Sequence, residues 1–446
     1  MSQKKLWQKD ISVDKRIEKF TIGDDANLDL QLAEFDILGS LAHIKMLNKI
    51  GLLEREELNR LTEGLRNLYK KVMKNGYKIE NGIEDIHSQV EFDLTSELGD
   101  TGKKIHAGRS RNDQKLVDLK LFTRSKLTTL VNCVELLFNL LIKLSEEYKD
   151  ILLPGYTHMQ VAMPSSFGLW FGAYAESLVD DLVLLHAAYQ VVNKNPLGSA
   201  AGYGSSFPLD RKLTTELLGF DDINYNSVYA QMNRGKMERI TAQAIASVAA
   251  TIGKMAADII LYLNQNFAFI SFPNELTTGS SIMPHKKNPD VFEIMRARCN
   301  QIQSLPNEVL LITCNLTSGY HRDLQLLKEN FLSALNKIIE CSDMMQFMLD
   351  HIKINKDILS DPKYRYLFSV EEVNKKVIEG VPFREAYQQT GRQIEAGTFQ
   401  SDKEIKHSHE GSIGNLCNDQ IKRMFREVLN RFNFKKYQDA LERLIK

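Results

Sequence analysis

Apolar residues recur along this chain at helical spacing. Leu130, Val134, Leu137, Leu141 and Leu144 are separated by steps of 4, 3, 4 and 3 residues. Phe167, Trp170, Tyr174, Leu178 and Leu182 form a second row. Ile245, Val248, Ile252, Met255 and Ile259 form a third, and Leu324, Leu327, Phe331, Leu335 and Ile338 a fourth. Steps of three and four put side chains on one face of a helix, so each row predicts a long helix with one apolar stripe. Alternating apolar and polar positions are scarce, and no strand–helix–strand rhythm occurs. The pattern predicts an all-α fold.

Proline placement agrees. The chain has 10 prolines, none before Pro154, and the spans 209–272 and 307–361 contain none. Proline breaks helix interiors, so these spans permit long helices. Residues 1–108 read as a smaller helical domain, 109–358 as a bundle of long helices, and 359–446 as a small helical tail entered at the Asp361-Pro362 turn. Long helices with wide apolar faces bury them by association, which predicts an oligomer.

Composition narrows the setting. Hydrophobic residues are 43% and charged residues 26%, as in a soluble globular protein. Lys+Arg and Asp+Glu are 57 each, so no charge excess points to nucleic acid or an anionic membrane as partner. The 5 cysteines are far apart and form no CxxC, the usage of reduced thiols in the cytoplasm. The polar start of the chain carries no apolar run for a signal peptide. No run of about 18 apolar residues is present, so no membrane span is expected.

Three polar segments interrupt the helices, and loops on a rigid scaffold commonly carry chemistry. His106-Ala-Gly-Arg-Ser-Arg-Asn-Asp-Gln114 sets two arginines before a helix start, a pairing suited to carboxylates; an exposed polar turn is the plain alternative. Pro154-Gly-Tyr-Thr-His-Met-Gln160 holds a histidine beside a threonine; such a histidine is either a positioned acid or base or simply structural. Thr277-Thr-Gly-Ser-Ser-Ile-Met-Pro-His-Lys-Lys-Asn-Pro289 joins a Gly/Ser turn to a cationic run, with a helix expected to start near Pro289. A flexible basic loop accounts poorly for that whole run.

This third segment resembles the signature loop of the fumarase/aspartase superfamily, GSSxMPxKxNP, with every specified position filled. The other segments resemble the argininosuccinate lyase family: Gly108–Gln114 its GRSRNDQ, Pro154–Gln160 its PGYTHLQ, Gly319–Gln325 with Lys328 its GYxRDLQxxK, and Glu84–Glu91 its EDxHxxxE. Val381–Ala386 matches its tail domain. The resemblance implies a three-domain helical fold whose central bundles form a homotetramer, with active sites shared between subunits. It implies release of fumarate from argininosuccinate, a small-molecule substrate, without cofactor or metal. His285, His106 and His158 also lack a metal-ligand spacing.

By the same resemblance Ser280 is the base and Lys286 and Asn288 hold the succinyl carboxylate as charge develops. His158 is the general acid, oriented by Glu293. Arg111, Asn112 and Thr157 bind carboxylates and the arginine-like end. Tyr320, Gln325 and Lys328 complete the pocket, and Asp85 and His87 support it from behind. The chain also departs from the family. Asp25 stands where the family usually has a serine at the substrate's amino-acid end. Met232–Lys236 replaces SDRDF and keeps only Arg234. His285 replaces a usual glutamine. Other readings are a different fumarate-releasing lyase, acting on adenylosuccinate or a modified argininosuccinate, and a crystallin-like structural protein.

Overall fold

A computed structural model describes residues 14–74, 76–80 and 82–446. The first 13 residues of the chain lie outside them. The chain opens with α1 (Lys15–Ile22), α2 (Asp25–Leu30), α3 (Ala33–Lys49), α4 (Arg55–Met73), α5 (Ile86–Leu98) and α6 (Asp100–Lys103). Then come α7 (Arg111–Glu147), α8 (Phe167–Val192), α9 (Arg211–Leu217), α10 (Ser227–Met232), α11 (Lys236–Leu263), α12 (Asp290–Thr313) and α13 (Leu327–Leu349). The tail holds α14 (Ser369–Ile378), α15 (Phe383–Glu395), α16 (Asn418–Leu429) and α17 (Phe434–Ile445).

The four apolar rows are all buried, and they form one continuous core through the bundle. The longest helix, α7, has 37 residues, about 55 Å of rise. Its start is fixed locally. Ser110 caps it by accepting from Asn112 N, and the Asp113 carboxylate accepts from Ser110 N at 2.9 Å, closing a reciprocal box.

Helix directions follow from end-to-end contacts. A Cβ on Gly168 would lie 2.5 Å from Lys149 Cα, so α8 starts where α7 stops. Trp170 Nε1 donates to Asp258 at 3.1 Å, which sets the start of α8 against the end of α11. Gly235 packs on Thr313, so α12 ends where α11 begins. Arg234 Nη2 donates to the Leu324 carbonyl at 2.8 Å, which brings the start of α13 to that same end. The bundle therefore has one end built from the starts of α7, α11 and α13. Its other end holds their C-termini and the start of α12.

Two expectations meet a difference. Helix α12 runs straight through Pro306. An interior proline costs about 3 kcal/mol, and here Leu305 and Val309 on either side are buried along the bundle, which offsets it. Strands also occur: β1 (Leu152–Thr157) and β2 (Gln160–Ser166) form an antiparallel hairpin between α7 and α8. By length and composition α7 and α11 are apolar enough to cross a membrane, although no such run stands out in the sequence. Both pack into the core, with 23 of 37 and 13 of 28 residues buried respectively.

The tail is anchored by specific contacts. Phe425 stacks on Phe138 at 3.9 Å between ring centres. Arg124, fully buried, lies between the rings of Phe220 and Tyr437 at 4.4 and 4.2 Å.

Candidate active site

The residues singled out in the sequence gather at the two ends of the bundle. At the end of α11 and the start of α12 lies the signature loop. Its neck is a bridge in which Asn288 N donates to the Thr278 carbonyl at 2.8 Å, and Asn288 Nδ2 donates to the Gly279 carbonyl at 3.2 Å. Inside the loop, Ser280 Oγ accepts from Met283 N at 3.1 Å and Ile282 N at 3.3 Å. Two N–H dipoles aimed at one hydroxyl oxygen stabilise negative charge there, which a serine acting as base requires. Lys286, His285, Asn288 and Glu293 border a cleft of about 910 Å³ walled by Phe272 and Met283. Glu293 lies exposed in the first turn of α12.

At this same end stands the β1–β2 hairpin. Thr157 pairs with Gln160, so His158 and Met159 form a two-residue tip with φ of 53° and 58°. Left-handed backbone at two successive non-glycine residues is strained, and such strain gathers at functional sites. It holds the His158 and Thr157 side chains exposed. A Cβ on Gly155 would stand 2.7 Å from the Met163 carbonyl, so the hairpin's register shift needs a glycine there. Among the described residues, no hydrogen bond or ion pair joins His158 to Glu293 or to the signature loop.

The opposite end collects Arg111, Asn112, Tyr320, Gln325, Lys328, Asp25, Asp85 and His87. Asp85 caps α5 by accepting from Ser88 N at 2.9 Å and lies 3.7 Å from Arg111. Its burial would raise the carboxyl pKa, but the charges of His87, Lys115 and Arg111 hold it below the usual carboxylate range. Arg111 donates to Glu84 at 3.1 Å and Ser88 Oγ at 2.9 Å. Asn112 occupies the first turn of α7, partly exposed. Gln325 donates to the Thr21 and Ile22 carbonyls at 3.0 and 3.3 Å, tying α1 to this end. Tyr320 is half-exposed.

Asp25 and Lys328 are both buried and pair with each other at 2.5 Å; Lys328 also binds Asp29. Burial and the Asp29 charge raise the Asp25 carboxyl above its ordinary range, against the pull of Lys328. His87 Nδ1 lies 2.7 Å from Asp36 and 3.6 Å from Asp118. Among the described residues, this trio alone sets three metal-type ligand atoms within 4.8 Å of one another. Arg109 and Lys115 act on these carboxylates, so cations of the protein already face that charge.

Several residues here have no role assigned from the sequence: Glu84, Ser88, Arg322 and Asp113, which lie inside its motif runs, and Lys115 and Asp29, which lie outside them. Asp113 Oδ2 accepts from Gly198 N at 3.1 Å and Ala200 N at 3.0 Å, pinning the glycine-rich 198–204 loop to the start of α7. The Ser-x-x-Asp spacing before a helix signals its capping role alone. Arg234, the residue kept from the family's SDRDF run, is buried in a pair with Glu238 at 2.7 Å.

Helix α11 has 28 residues, so the two ends stand about 42 Å apart. One chain brings together Ser280, Lys286, Asn288 and Glu293, and separately Arg111, Asn112, Tyr320 and Lys328. It does not bring those two groups into one pocket.

This fold, with a serine loop at one bundle end and paired cations at the other, is that of a lyase. Residues 8–304 match the family described as Lyase, and the chain belongs to it. Within that family it falls among the argininosuccinate lyases. Argininosuccinate lyase from Parabacteroides distasonis is 60% identical over 441 residues, 99% of each chain. That from Bacteroides fragilis is 58% identical over the same shares. Among solved structures, a variant of EDDS lyase with bound fumarate superposes with a TM-score of 0.76 at 20% identity, covering 97% of this chain and 94% of that one. At that identity the likeness speaks for the fold, which is the fumarase/aspartase architecture.

Proposed function

We propose that the protein splits argininosuccinate into arginine and fumarate, and that Ser280, with its two backbone donors, is the base. The single observation that carries the chemistry is the pair of N–H groups converging on Ser280 Oγ. Ser280 takes the proton from the succinyl carbon beside a carboxylate. Lys286 and Asn288 stabilise the charge that moves onto that carboxylate; one such preorganised donor is worth about 10²–10³ in rate. The carbanion's electron pair becomes the C=C bond of fumarate as the C–N bond breaks. His158 gives the departing guanidino nitrogen its proton, and Glu293 orients it. The reaction needs no cofactor or metal.

On this reading Arg111, Asn112 and Thr157 take carboxylates and the arginine-like end, beside Tyr320, Gln325 and Lys328. Asp85 and His87 support them, and Asp25, paired with Lys328, binds the substrate at its distal end. The chain divides into units 1–108, 109–358 and 359–446, acts in the cytoplasm and assembles as a homotetramer with shared sites. Two features support assembly: the separation of the site's halves, and apolar side chains exposed on the bundle, among them Leu311 at 63% and Phe347 at 45%. The purified protein, offered argininosuccinate and adenylosuccinate separately, is expected to yield fumarate and arginine from the first alone. Fumarate from adenylosuccinate and none from argininosuccinate would refute the proposal.

A further inference from the structure

The cysteines are scattered along the sequence, but the fold brings two of them together. Cys299 lies in α12 and Cys341 in α13. Three contacts fix how those helices align: Arg298 Nη1 donates to Glu340 at 2.7 Å, Lys337 Nζ to Gln301 at 3.5 Å, and Asn330 Nδ2 to Glu308 at 2.7 Å. As the position rises along α12, its partner falls by the same step along α13, so the two helices run antiparallel in register. Cys299 and Cys341 each follow directly on a member of the Arg298–Glu340 pair. They belong to the buried faces, with Met295 and Ile302 on one helix and Ile338 and Met345 on the other, and are 0% and 3% exposed.

The two thiols interact, Cys299 as donor and Cys341 as acceptor. That donation, with the charges of Arg298 and Lys337, holds the Cys341 thiol below its ordinary range against burial. The same contact, and burial, push the Cys299 thiol up. The pair is also unequal in access. Cys341 borders a cleft of about 460 Å³ lined by Asp290, Ile294, Arg298 and Met344. Cys299 backs onto α11, where a Cβ on Gly253 would stand 3.1 Å from Cys299 Cβ. One thiol borders the cleft and forms its thiolate readily, and the other stands within reach of it. That is the arrangement of an attacking and a resolving cysteine.

We propose that Cys299 and Cys341 form a redox-active dithiol, a modification site at which a hydroperoxide joins the two sulfurs as a disulfide between α12 and α13. The Cys341 thiolate attacks one peroxide oxygen. An S–O bond forms, the O–O bond breaks, and the leaving hydroxide takes a proton to become water. Cys299 then attacks the Cys341 sulfur. The S–S bond forms, the S–O bond breaks, and the departing oxygen takes the Cys299 proton and leaves as a second water. The two thiols lose the two electrons that the peroxide gains. The disulfide ties α12, which carries Glu293, to its neighbour, and thiol reductants reverse it.

Thiol mapping of the assembled protein tests this, with hydrogen peroxide as the oxidant. After brief exposure, the remaining thiols are alkylated and the protein is digested without reductant. Wild type is expected to yield a peptide pair crosslinked through Cys299 and Cys341, lighter by two hydrogens, which dithiothreitol abolishes. Loss of these two thiols is expected to precede oxidation of Cys314, although Cys314 is exposed. Cys299→Ser is expected to stop at a sulfenic acid on Cys341, which dimedone captures, and Cys341→Ser to leave Cys299 reduced. Three results would each overturn the proposal: Cys299 and Cys341 still reduced once Cys314 is oxidised, Cys341 crosslinked to another cysteine, or both sulfurs carried to sulfinic acid without a crosslink. The wild-type map decides by itself if a variant does not fold. No readout involves catalysis, so the outcome is independent of the lyase reading.

Discussion

At the scale of single residues, this protein gathers charge where charge is costly. Asp113 is fully buried, yet its carboxylate accepts three backbone N–H groups, from Ser110, Gly198 and Ala200. Burial outweighs those bonds and raises its pKa to about 6. A folded-state pKa above the unfolded value means that the folded protein holds the proton more tightly. The corresponding stability is present below the unfolded pKa and is lost as pH rises through about 6. Asp113→Asn removes that titration. On going from about pH 7 to pH 5, wild type should gain about 1 kcal/mol relative to the variant. Urea unfolding at both pH values checks this. A wild-type and variant difference that stays constant, or moves the other way, would contradict it. The same residue marks how much the sequence disclosed. The runs around Arg111, His158 and Ser280 were legible because their residue types are unusual together. The pairings were not: Glu84 stands in a motif run without a role and Asp29 is an ordinary acid, and only the fold sets them against Arg111 and Lys328.

At the scale of elements, the long helices were readable because each carries a wide apolar stripe, and every residue of the four stripes is buried. The hairpin between α7 and α8 was not. Its tip is His158-Met159, both with positive φ, where the usual signal is Asn-Gly or Asp-Gly. Pro306 misleads in the opposite sense, since α12 passes through it. Tertiary packing overrides local preference in both cases. The joint between α7 and α8 offers a sharp test of that packing. A Cβ on Gly168 would meet Lys149 Cα at 2.5 Å and the Ser145 carbonyl at 2.7 Å, both backbone atoms that cannot turn aside. Gly168→Ala should therefore cost about 3 kcal/mol, the upper part of the range for overpacking. The midpoint of denaturant unfolding reads this directly. A variant as stable as wild type would show that α8 does not start against the end of α7.

At the scale of the whole molecule, the two halves of the proposed site stand at opposite ends of a bundle about 42 Å long. The serine loop and the histidine hairpin hold one end. Arg111, Asn112 and Lys328 hold the other. On the proposed function, elimination from a single small substrate needs both halves within one pocket, and the proposed assembly supplies them from neighbouring subunits packed antiparallel. Subunit exchange measures this. Arg111→Ala and Ser280→Ala proteins are each expected to be inactive on argininosuccinate. Mixed, dissociated and reassembled, they should recover part of the wild-type turnover, because some sites then receive an intact Arg111 from one subunit and an intact Ser280 from another. Mixed oligomers that form but release no fumarate would contradict the account.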